Sequence, residues 1–226
     1  MGLTFAPGEV ERLGLFLAML LDENTRQNLT AIRSEEDAWE RHIFDAMTMV
    51  SVLADLPDGS SVIDVGTGGG VPGLPLACVL PRLEFTLLDA TAKKTTFLLR
   101  AAQALGLSNV NVVTGRAETI GQMGSEHRRA YDAVIARAVG RLATLSELTV
   151  PLAKVGGLCV LVKGARADEE LEEAKKALHL LHAGHAGTIE TPTGRIVVLE
   201  KLRETPRSYP RRDGEPKRVP LGVEKR

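Results

Sequence analysis

The chain of 226 residues is long enough to bury a sizeable core, and its 44% apolar and 25% charged residues exclude a mostly disordered protein. Aromatic residues make up only 4%, which disfavours a stacking platform for bases, and the net charge of −1 excludes a protein that coats nucleic acid by bulk electrostatic attraction. The basic charge is concentrated at the carboxyl end, because residues 201–226 hold nine Lys and Arg against four Asp and Glu. A polyanion is therefore expected to be met locally, near that end.

The cysteines and the apolar segments both indicate a cytoplasmic protein. Cys78 and Cys159 stand far apart in apolar surroundings, which predicts buried thiols in a reducing compartment rather than a disulfide or a zinc site. The longest apolar run, residues 13–21, is too short to span a bilayer and follows acidic residues, unlike a signal peptide. We expect no membrane and no metal, and the lack of a heptad pattern favours a monomer.

The first sixty residues have helical periodicity. Apolar residues recur at helical spacing over residues 10–21, and a polar stretch ends that helix. A second helix is predicted to begin at Ser34, with Asp37 forming an approximate capping box, and to continue as far as the break at Pro57-Asp58-Gly59. Residues 1–60 are therefore predicted to be a helical N-terminal extension packed on the core.

From residue 61 onward, short apolar runs typical of buried strands alternate with helical segments. The predicted strands are 62–65, 85–89, 110–113, 133–136, 158–162 and 195–200, and the predicted helices lie near 73–80, 91–106, 141–153 and 168–182. This alternation predicts an α/β fold with a doubly wound, mostly parallel, Rossmann-like sheet, whose last strand pairs antiparallel because little chain remains for a crossover. The core is expected to span 61–204, and the basic Pro- and Arg-rich tail at 205–226 is not expected to build a core.

A glycine-rich loop follows the first predicted strand, at the position where such sheets bind nucleotides. Glycines at Gly66, Gly68 and Gly70 would let the backbone approach a ligand closely. Val71 stands where the dinucleotide fingerprint requires glycine, which disfavours NAD. S-adenosylmethionine (SAM) carries an ammonium and a sulfonium rather than a pyrophosphate, so the carboxylate of Asp64 before the glycines favours SAM. The alternative is a tight turn that binds no ligand.

Acidic residues also follow the second and third predicted strands. Asp89 ends the second strand, where a carboxylate can accept hydrogen bonds from ribose hydroxyls, although a helix N-cap is an equal alternative. The third strand leads to Ala117 and Glu118, where a contact around adenine is expected. The alternative for Glu118 is a solvated surface charge.

The fourth predicted strand ends in Ala136-Arg137-Ala138, the position that usually decides the methyl acceptor in this fold. The sequence there has no Asp/Asn-Pro-Pro-aromatic motif, which enzymes that methylate exocyclic amines carry, and neither cysteine is placed to act as a cytosine C5 nucleophile. Arg137 suits an anionic substrate, or a carbonyl group beside the reacting atom. A surface salt bridge is the alternative.

Together these stretches resemble the RsmG family (GidB, glucose-inhibited division protein B) of small-subunit ribosomal RNA methyltransferases. The likeness covers about residues 10–221, and several motifs occur in the family's order. The matching motifs are Asn28-Leu29-Thr30-Ala31-Ile32-Arg33, Arg41-His42-Ile43-Phe44-Asp45, Asp64 to Gly73, Leu87-Leu88-Asp89-Ala90 with Lys93-Lys94, Gly115-Arg116-Ala117-Glu118, Ala136-Arg137-Ala138, Lys163-Gly164 and Thr205 to Pro216. The sequence departs from the family at Ala46, where many members have Ser, and at Gly69, where some have Pro or Ala.

The resemblance implies SAM-dependent methylation of guanine N7 in 16S ribosomal RNA, near the decoding centre of the small ribosomal subunit. Guanine N7 has a free lone pair and no proton, so transfer needs positioning rather than a general base. The resemblance implies a SAM site lined by Gly66, Val71, Ala117, Glu118 and Arg137. The residues that the resemblance suggests for holding the RNA or the target base are Asn28, His42, Lys93, Arg116 and Arg137. His42 is equally compatible with a packed helix residue and is not predicted to be a base.

Other phosphate contacts are expected from Lys94, Arg141, Lys163, Arg166 and the basic tail, unless the tail is only a solvating end. Because few aromatics are available to hold splayed bases, specificity is expected to depend on the shape of a structured RNA. Competing functions are a SAM methyltransferase for a small molecule or protein, a module that binds SAM without turnover, and a nicotinamide dehydrogenase.

Overall fold

A seven-stranded sheet forms the centre of the protein in a computed structural model that describes residues 4–137 and 140–223. Ala138, from the motif that ends the fourth predicted strand, lies outside these residues. The strands are β1 (Ser61–Val65), β2 (Glu84–Asp89), β3 (Val110–Thr114), β4 (Tyr131–Arg137), β5 (Ala153–Lys163), β6 (Ala183–Thr191) and β7 (Gly194–Lys201).

The strand order is β3-β2-β1-β4-β5-β7-β6. Strands β1 to β5 pair in parallel, and β7 lies between β5 and β6 and pairs antiparallel with both. The predicted mostly parallel sheet with an antiparallel last strand is confirmed. Strand β6 is absent from the prediction because its residues, apart from Ile189, are small or polar, so they carry no apolar run.

Helices cover both faces of the sheet. They are α1 (Glu9–Asn24), α2 (Glu35–Ala38), a π-helix (Trp39–Phe44), α3 (Asp45–Met47), α4 (Val50–Leu53), α5 (Gly73–Val79), α6 (Ala92–Ala104), α7 (Ala117–Ile120), α8 (Leu142–Thr149), α9 (Ala167–Leu181) and α10 (Glu215–Arg218). The Ser34 hydroxyl accepts a hydrogen bond from the Asp37 N–H at 3.2 Å, as the capping pattern predicts. None of the helices in the described segments is long and apolar enough to cross a membrane.

The N-terminal helices share a hydrophobic core with the sheet. Leu13 and Leu17 of α1 are at most 1% exposed and belong to the same cluster as Val62 and Phe85 of the strands. The opposite face of the sheet has a second cluster, formed with α8, α9 and Leu221 near the carboxyl end. Two cores therefore lie back to back on one sheet.

Residues 205–223, here called the C-terminal strap, pack on the face of the sheet that α8 and α9 cover. The guanidinium of Arg128, which is 7% exposed, donates to the carbonyl groups of Gly121, Thr205 and Tyr209 at 2.6–2.8 Å. Pro216 of the strap is buried. The strap therefore packs against the second core through Leu221, as well as through polar contacts to buried groups that its composition does not show.

Candidate active site

The glycine-rich loop joins the end of β1 to α5 and is organised by Asp64. Oδ2 of Asp64 accepts hydrogen bonds from the Thr67 hydroxyl at 2.6 Å and from the Gly73 N–H at 2.9 Å. Oδ1 is buried and has no hydrogen-bond partner within the part of the chain that the structure describes. Burial raises the pKa of Asp64 to about 6, against the effect of the two donors. Asp64 is fully buried and belongs to none of the linings of the three cavities at this edge of the sheet, so its carboxylate shapes the loop and does not itself face a ligand space.

The glycines of this loop serve two different purposes. Gly66 and Gly68 adopt φ angles of 72° and 59°, and both line a cavity. Gly70 does not line this cavity: a Cβ atom there would lie 2.6 Å from Leu74 and 3.0 Å from Leu98. Gly70 therefore allows α5 and α6 to approach the loop closely, instead of exposing backbone to a ligand as the sequence analysis predicts.

A large cavity of about 900 Å³ opens at the carboxyl ends of β1, β2 and β3. Its lining includes Gly66, Asp89, Arg116, Ala117, Glu118 and Gly214. Every residue predicted to contact the adenosine half of the cofactor is therefore at one cavity.

Asp89 both faces the large cavity and holds the backbone around it. Its Oδ2 accepts a hydrogen bond from the Gly68 N–H at 3.0 Å, and its Oδ1 accepts one from the Thr91 N–H at 2.9 Å, just before α6. The ammonium group of Lys94 lies 3.8 Å from Oδ2. Asp89 is not the N-cap of α6, since Thr91 occupies that position, but its carboxylate holds the Thr91 N–H while Asp89 also lines the cavity.

Glu118 is 7% exposed, so the alternative of a solvated surface charge is wrong. Its Oε1 accepts a hydrogen bond from the Gly214 N–H of the C-terminal strap at 2.9 Å. Arg116, next to it, is exposed and lies 3.5 Å from Asp213 of the same strap. The strap therefore contacts both charged residues of the predicted adenine contact.

A smaller cavity of about 330 Å³ adjoins the large one at Gly66. Its lining includes Leu20, Thr30, His42, Gly68, Val71 and Arg137. Helix α1 and the segment that follows it therefore pack over the glycine-rich loop, with this cavity between them. This places His42 and Arg137, which are predicted from distant motifs, beside the predicted cofactor loop.

Arg137 at the end of β4 is held by several partners. Its side chain is 20% exposed, and its Nη1 donates to Asp45 Oδ2 at 2.9 Å and to the carbonyl oxygen of Arg41. Its Nη2 donates to Nδ1 of His42 at 3.0 Å. The alternative of a surface salt bridge is wrong, because the partner Asp45 is itself only 7% exposed.

The protonation of His42 follows from these contacts. A guanidinium can only donate, so Nδ1 of His42 accepts from Arg137, and Nε2 carries the proton that it donates to the Thr30 hydroxyl at 3.0 Å. Burial, aided by the charge of Arg137, lowers the pKa of His42 to about 4. His42 is therefore neutral near pH 7, with both ring nitrogens engaged.

A third cavity of about 460 Å³ lies beyond Arg137, at the end of β5 and the turn between β6 and β7. Its lining includes Glu40, Arg41, Asp45, Lys163, Pro192 and Thr193. The Thr193 hydroxyl donates to Oδ1 of Asp45, which ties this turn to the N-terminal helices. The three cavities form a row along the sheet edge, with Gly66 and Arg137 at the two boundaries.

Several predicted RNA-binding residues lie apart from these cavities or are already paired. Asn28 and Lys93 are exposed and belong to none of the three linings. Lys163 is buried, with its ammonium group 2.6 Å from the Gly140 carbonyl oxygen and 2.7 Å from Glu170. Its expected phosphate contact therefore conflicts with burial.

Four residues of the site were missed by sequence reasoning. Asp45 had a detectable signal, since it stands one helical turn after His42 in the Arg41–Asp45 motif. Thr30 also belongs to a matching motif but received no role. Gly214 likewise belongs to the matching motif Thr205 to Pro216 but received no role, whereas Thr193 carries no sequence signal, because only the fold brings it to the site. Among the residues that the structure covers, no group of three or more His, Cys, Asp or Glu could hold a metal ion.

The strand order and the acidic and glycine residues at the ends of β1 and β2 define the fold of the class I SAM-dependent methyltransferases. A mutant of MtNAS solved in complex with S-adenosylmethionine has a TM-score of 0.56 and 14% identity, covering 86% of this chain and 76% of that one. A candidate SAM-dependent methyltransferase from Methanococcus maripaludis has a TM-score of 0.58 and 14% identity, covering 90% of this chain and 98% of that one. At these identities the likeness shows the fold alone.

Sequence comparison identifies the family within this class. A family model described as GidB, rRNA small subunit methyltransferase G, matches residues 9–193. The ribosomal RNA small subunit methyltransferase G of Sorangium cellulosum (strain So ce56) is 46% identical over 211 residues, which cover 93% of this chain and 87% of that protein. The protein of that name from Bacillus cytotoxicus is 39% identical, covering 97% and 94%. The chain therefore belongs to the GidB family of rRNA small subunit methyltransferases, and the resemblance seen in the sequence is confirmed.

Proposed function

We propose that the protein transfers the methyl group of SAM to N7 of a guanine in 16S ribosomal RNA. The observation that carries this proposal is the family membership, which extends over nearly the whole chain. The site has features that suit both the cofactor and the acceptor. A ribosomal substrate would also place the protein in the cytoplasm.

The large cavity suits the adenosine half of SAM. Its volume of about 900 Å³ falls within the range typical of small-molecule sites, roughly 300–1,000 Å³. On this proposal Asp89 accepts hydrogen bonds from the ribose hydroxyls and Ala117 and Glu118 contact adenine, which is supported by their presence in the lining of this cavity. The backbone at Gly66 leads from there to the smaller cavity, which suits the methionine half.

On this proposal the carboxylate of Asp64 acts on the cationic end of the cofactor through its charge and by shaping the loop, because the residue is fully buried and lines neither the large nor the smaller cavity. Its buried Oδ1 is the one oxygen of this group that the surrounding residues leave unpartnered. A nearby ammonium would compensate the charge that burial makes costly. When bound, SAM supplies the electrophilic methyl group, and the protein residues orient it and exclude water.

Arg137 suits the acceptor. The carbonyl oxygen O6 of guanine is adjacent to N7, so a guanidinium beside the methyl group can hydrogen-bond O6 and align N7 for in-line attack. Because N7 has no proton to lose, no base is required. The neutral, doubly hydrogen-bonded His42 agrees with this chemistry, since its role is to hold Arg137 in place.

The RNA would be held by polar and basic residues at the surface of the protein. Asn28, Lys93 and Arg116 are exposed, as are Arg207 and Arg212 of the strap. Contacts of this kind bind phosphates without reading sequence and weaken steeply with salt.

Labelled SAM, the purified protein and small ribosomal subunits from a strain that lacks this modification test the proposal. After the reaction the RNA is digested to nucleosides, and the labelled nucleoside is identified by chromatography and mass. We expect the label in 7-methylguanosine, and Arg203→Ala serves as a control that removes an exposed arginine away from the site. Label in another nucleoside, or transfer only to a protein or metabolite, would refute the assignment of acceptor.

A further inference from the structure

The C-terminal strap forms part of the wall of the large cavity. Gly214, Lys217 and Pro220 line the cavity together with Ala117 and Glu118. The strap comes from a segment whose basic composition suggests a role in binding RNA. Its position instead brings it to the predicted adenine end of the cofactor site.

The backbone of the strap holds the carboxylate of Glu118. The Gly214 N–H donates to Oε1 at 2.9 Å, and the described residues provide no second hydrogen-bond partner for this carboxylate. Glu118 is 7% exposed, so the surrounding residues restrict the orientation of its side chain. The other oxygen can therefore accept a hydrogen bond from a ligand in the cavity, and the exocyclic amine of adenine is such a donor.

Two anchors fix the position of Gly214. Glu147 of α8 is fully buried and accepts hydrogen bonds from Arg211 at 2.9 Å (Nε), 2.6 Å (Nη2) and 2.7 Å (the backbone N–H). Asp213 accepts a hydrogen bond from the Thr119 hydroxyl at 2.9 Å. A bidentate ion pair with a buried carboxylate is geometrically specific, so Arg211 determines where the following residues lie.

We propose that the strap positions the cofactor, and that Arg211 is the residue through which it does so. The Arg211–Glu147 ion pair places the Gly214 N–H, which orients Glu118 toward the adenine amine of SAM. Arg211 is thus a positioning residue that acts through Gly214 and Glu118. The inference rests on the proposed function, because it takes SAM as the ligand of the large cavity.

Two neighbouring arginines of the strap, Arg211 and Arg212, are therefore expected to have different roles. Arg211 is half-buried and paired with Glu147, so its contribution is to cofactor affinity and is present without RNA. Arg212 is exposed, and its loss removes the same charge without touching Glu147. The two neighbours form a matched pair for experiment.

Calorimetric titration of the full chain without RNA tests this difference in roles. The ligands are S-adenosylhomocysteine and methylthioadenosine, which keeps the adenosine group and lacks the amino acid. We expect Arg211→Ala to raise the dissociation constants of both ligands by the same factor, about tenfold or more. The reason is that the hydrogen bond between the Glu118 carboxylate and the adenine amine is lost. Arg212→Ala is expected to leave both dissociation constants unchanged.

A milder variant keeps the test valid if Arg211→Ala does not fold. Asp213→Ala removes only exposed contacts, those to the Thr119 hydroxyl and to Arg116, and is expected to weaken the binding of both ligands by about threefold. Strap variants that fold and bind both ligands like the wild type would overturn the inference, as would a loss confined to S-adenosylhomocysteine. A wild-type protein that binds neither ligand would instead refute the proposed cofactor, and the inference with it.

Discussion

The contacts of Arg137 decide what its replacement does. Its guanidinium satisfies the largely buried carboxylate of Asp45 and fixes the ring of His42, so it serves the local structure as well as any substrate. Removing one member of a buried ion pair leaves the other charge uncompensated. Loss of activity in an Arg137 variant therefore needs to be separated from loss of stability.

Arg137→Ala is expected to abolish methyl transfer and to lower the free energy of unfolding by about 3 kcal/mol, because Asp45 loses its counter-ion. Adding Asp45→Asn removes the unpaired charge and should recover part of the stability without restoring activity. Denaturant unfolding and transfer of labelled methyl groups measure the two effects, and Arg203→Ala is the control. Activity that returns with stability in the double variant would contradict a direct role for Arg137.

Asp64→Asn is expected to stabilise the protein while weakening its cofactor binding. The folded pKa of about 6 lies above the ordinary value of 3.8, so Asp64 costs stability as the pH rises above 3.8, and the cost is complete above about pH 6. The amide should thus raise the free energy of unfolding by about 3 kcal/mol at pH 7, and the gain should vanish below about pH 4. S-adenosylhomocysteine affinity should fall because the ammonium loses its carboxylate.

Denaturant unfolding at pH 7 and pH 4, together with calorimetric titration at pH 7, checks this prediction. Asp55→Asn changes an exposed carboxylate and is expected to alter neither quantity. Unchanged affinity in Asp64→Asn would show that the carboxylate serves only the loop.

The junction of β1 and α5 is where packing and binding constrain each other most closely. The N–H of Gly73, the first residue of α5, donates to Asp64, and a Cβ atom at this position would overlap Leu87 and lie 2.9 Å from Asp64 Oδ2. The helix can approach the strand this closely only because residue 73 is glycine. The start of α5 therefore fixes the carboxylate.

Gly73→Ala is expected to lower the free energy of unfolding by about 2 kcal/mol, since overpacking displaces Leu87 or Asp64. It should also lower the affinity for S-adenosylhomocysteine, because Asp64 is displaced. Gly187→Ala in β6 is the matched control, since a Cβ atom there meets nothing within 4 Å. Equal stabilities for the two variants, measured by denaturant unfolding, would show that the junction relaxes freely.

The two cores are joined through a single sheet, so the protein is expected to unfold as one unit. Leu17 of α1, which is 1% exposed, lies in the same cluster as strand residues, although it precedes them by more than forty positions. The N-terminal helices therefore contribute to the stability of the sheet as well as covering the glycine-rich loop.

Leu17→Ala is expected to destabilise the entire protein by about 2–5 kcal/mol. Trp39, the single tryptophan, reports on the N-terminal helices, and far-UV circular dichroism reports on all elements. We expect the two transitions to coincide and to shift together in Leu17→Ala. Val10 of the same helix is 47% exposed, so Val10→Ala should shift neither transition. A tryptophan transition at lower denaturant would reveal a separate N-terminal unit.

The sequence predicted most features that depend on local patterning. The parallel strands, the antiparallel last strand and the loop from Asp64 are predicted from apolar runs and glycine positions. Patterns of this kind involve only residues that are close together in the sequence. The boundaries of β1 to β4 agree within two residues, whereas β5 begins five residues earlier than predicted, at Ala153, because its first residues are not a continuous apolar run. The π-helix at Trp39–Phe44 has no such local signal.

Contacts between distant segments required the folded chain. Thr193 and Asp45 are 148 positions apart, and Gly214 and Glu118 are 96 apart, so no spacing rule relates them. The strap shows the reason most clearly: its composition is that of a solvated tail, yet the buried carboxylate of Glu147 gives Arg211 a partner that holds it in place. Local residue patterns establish which elements form, whereas buried charges find their partners only when the elements pack.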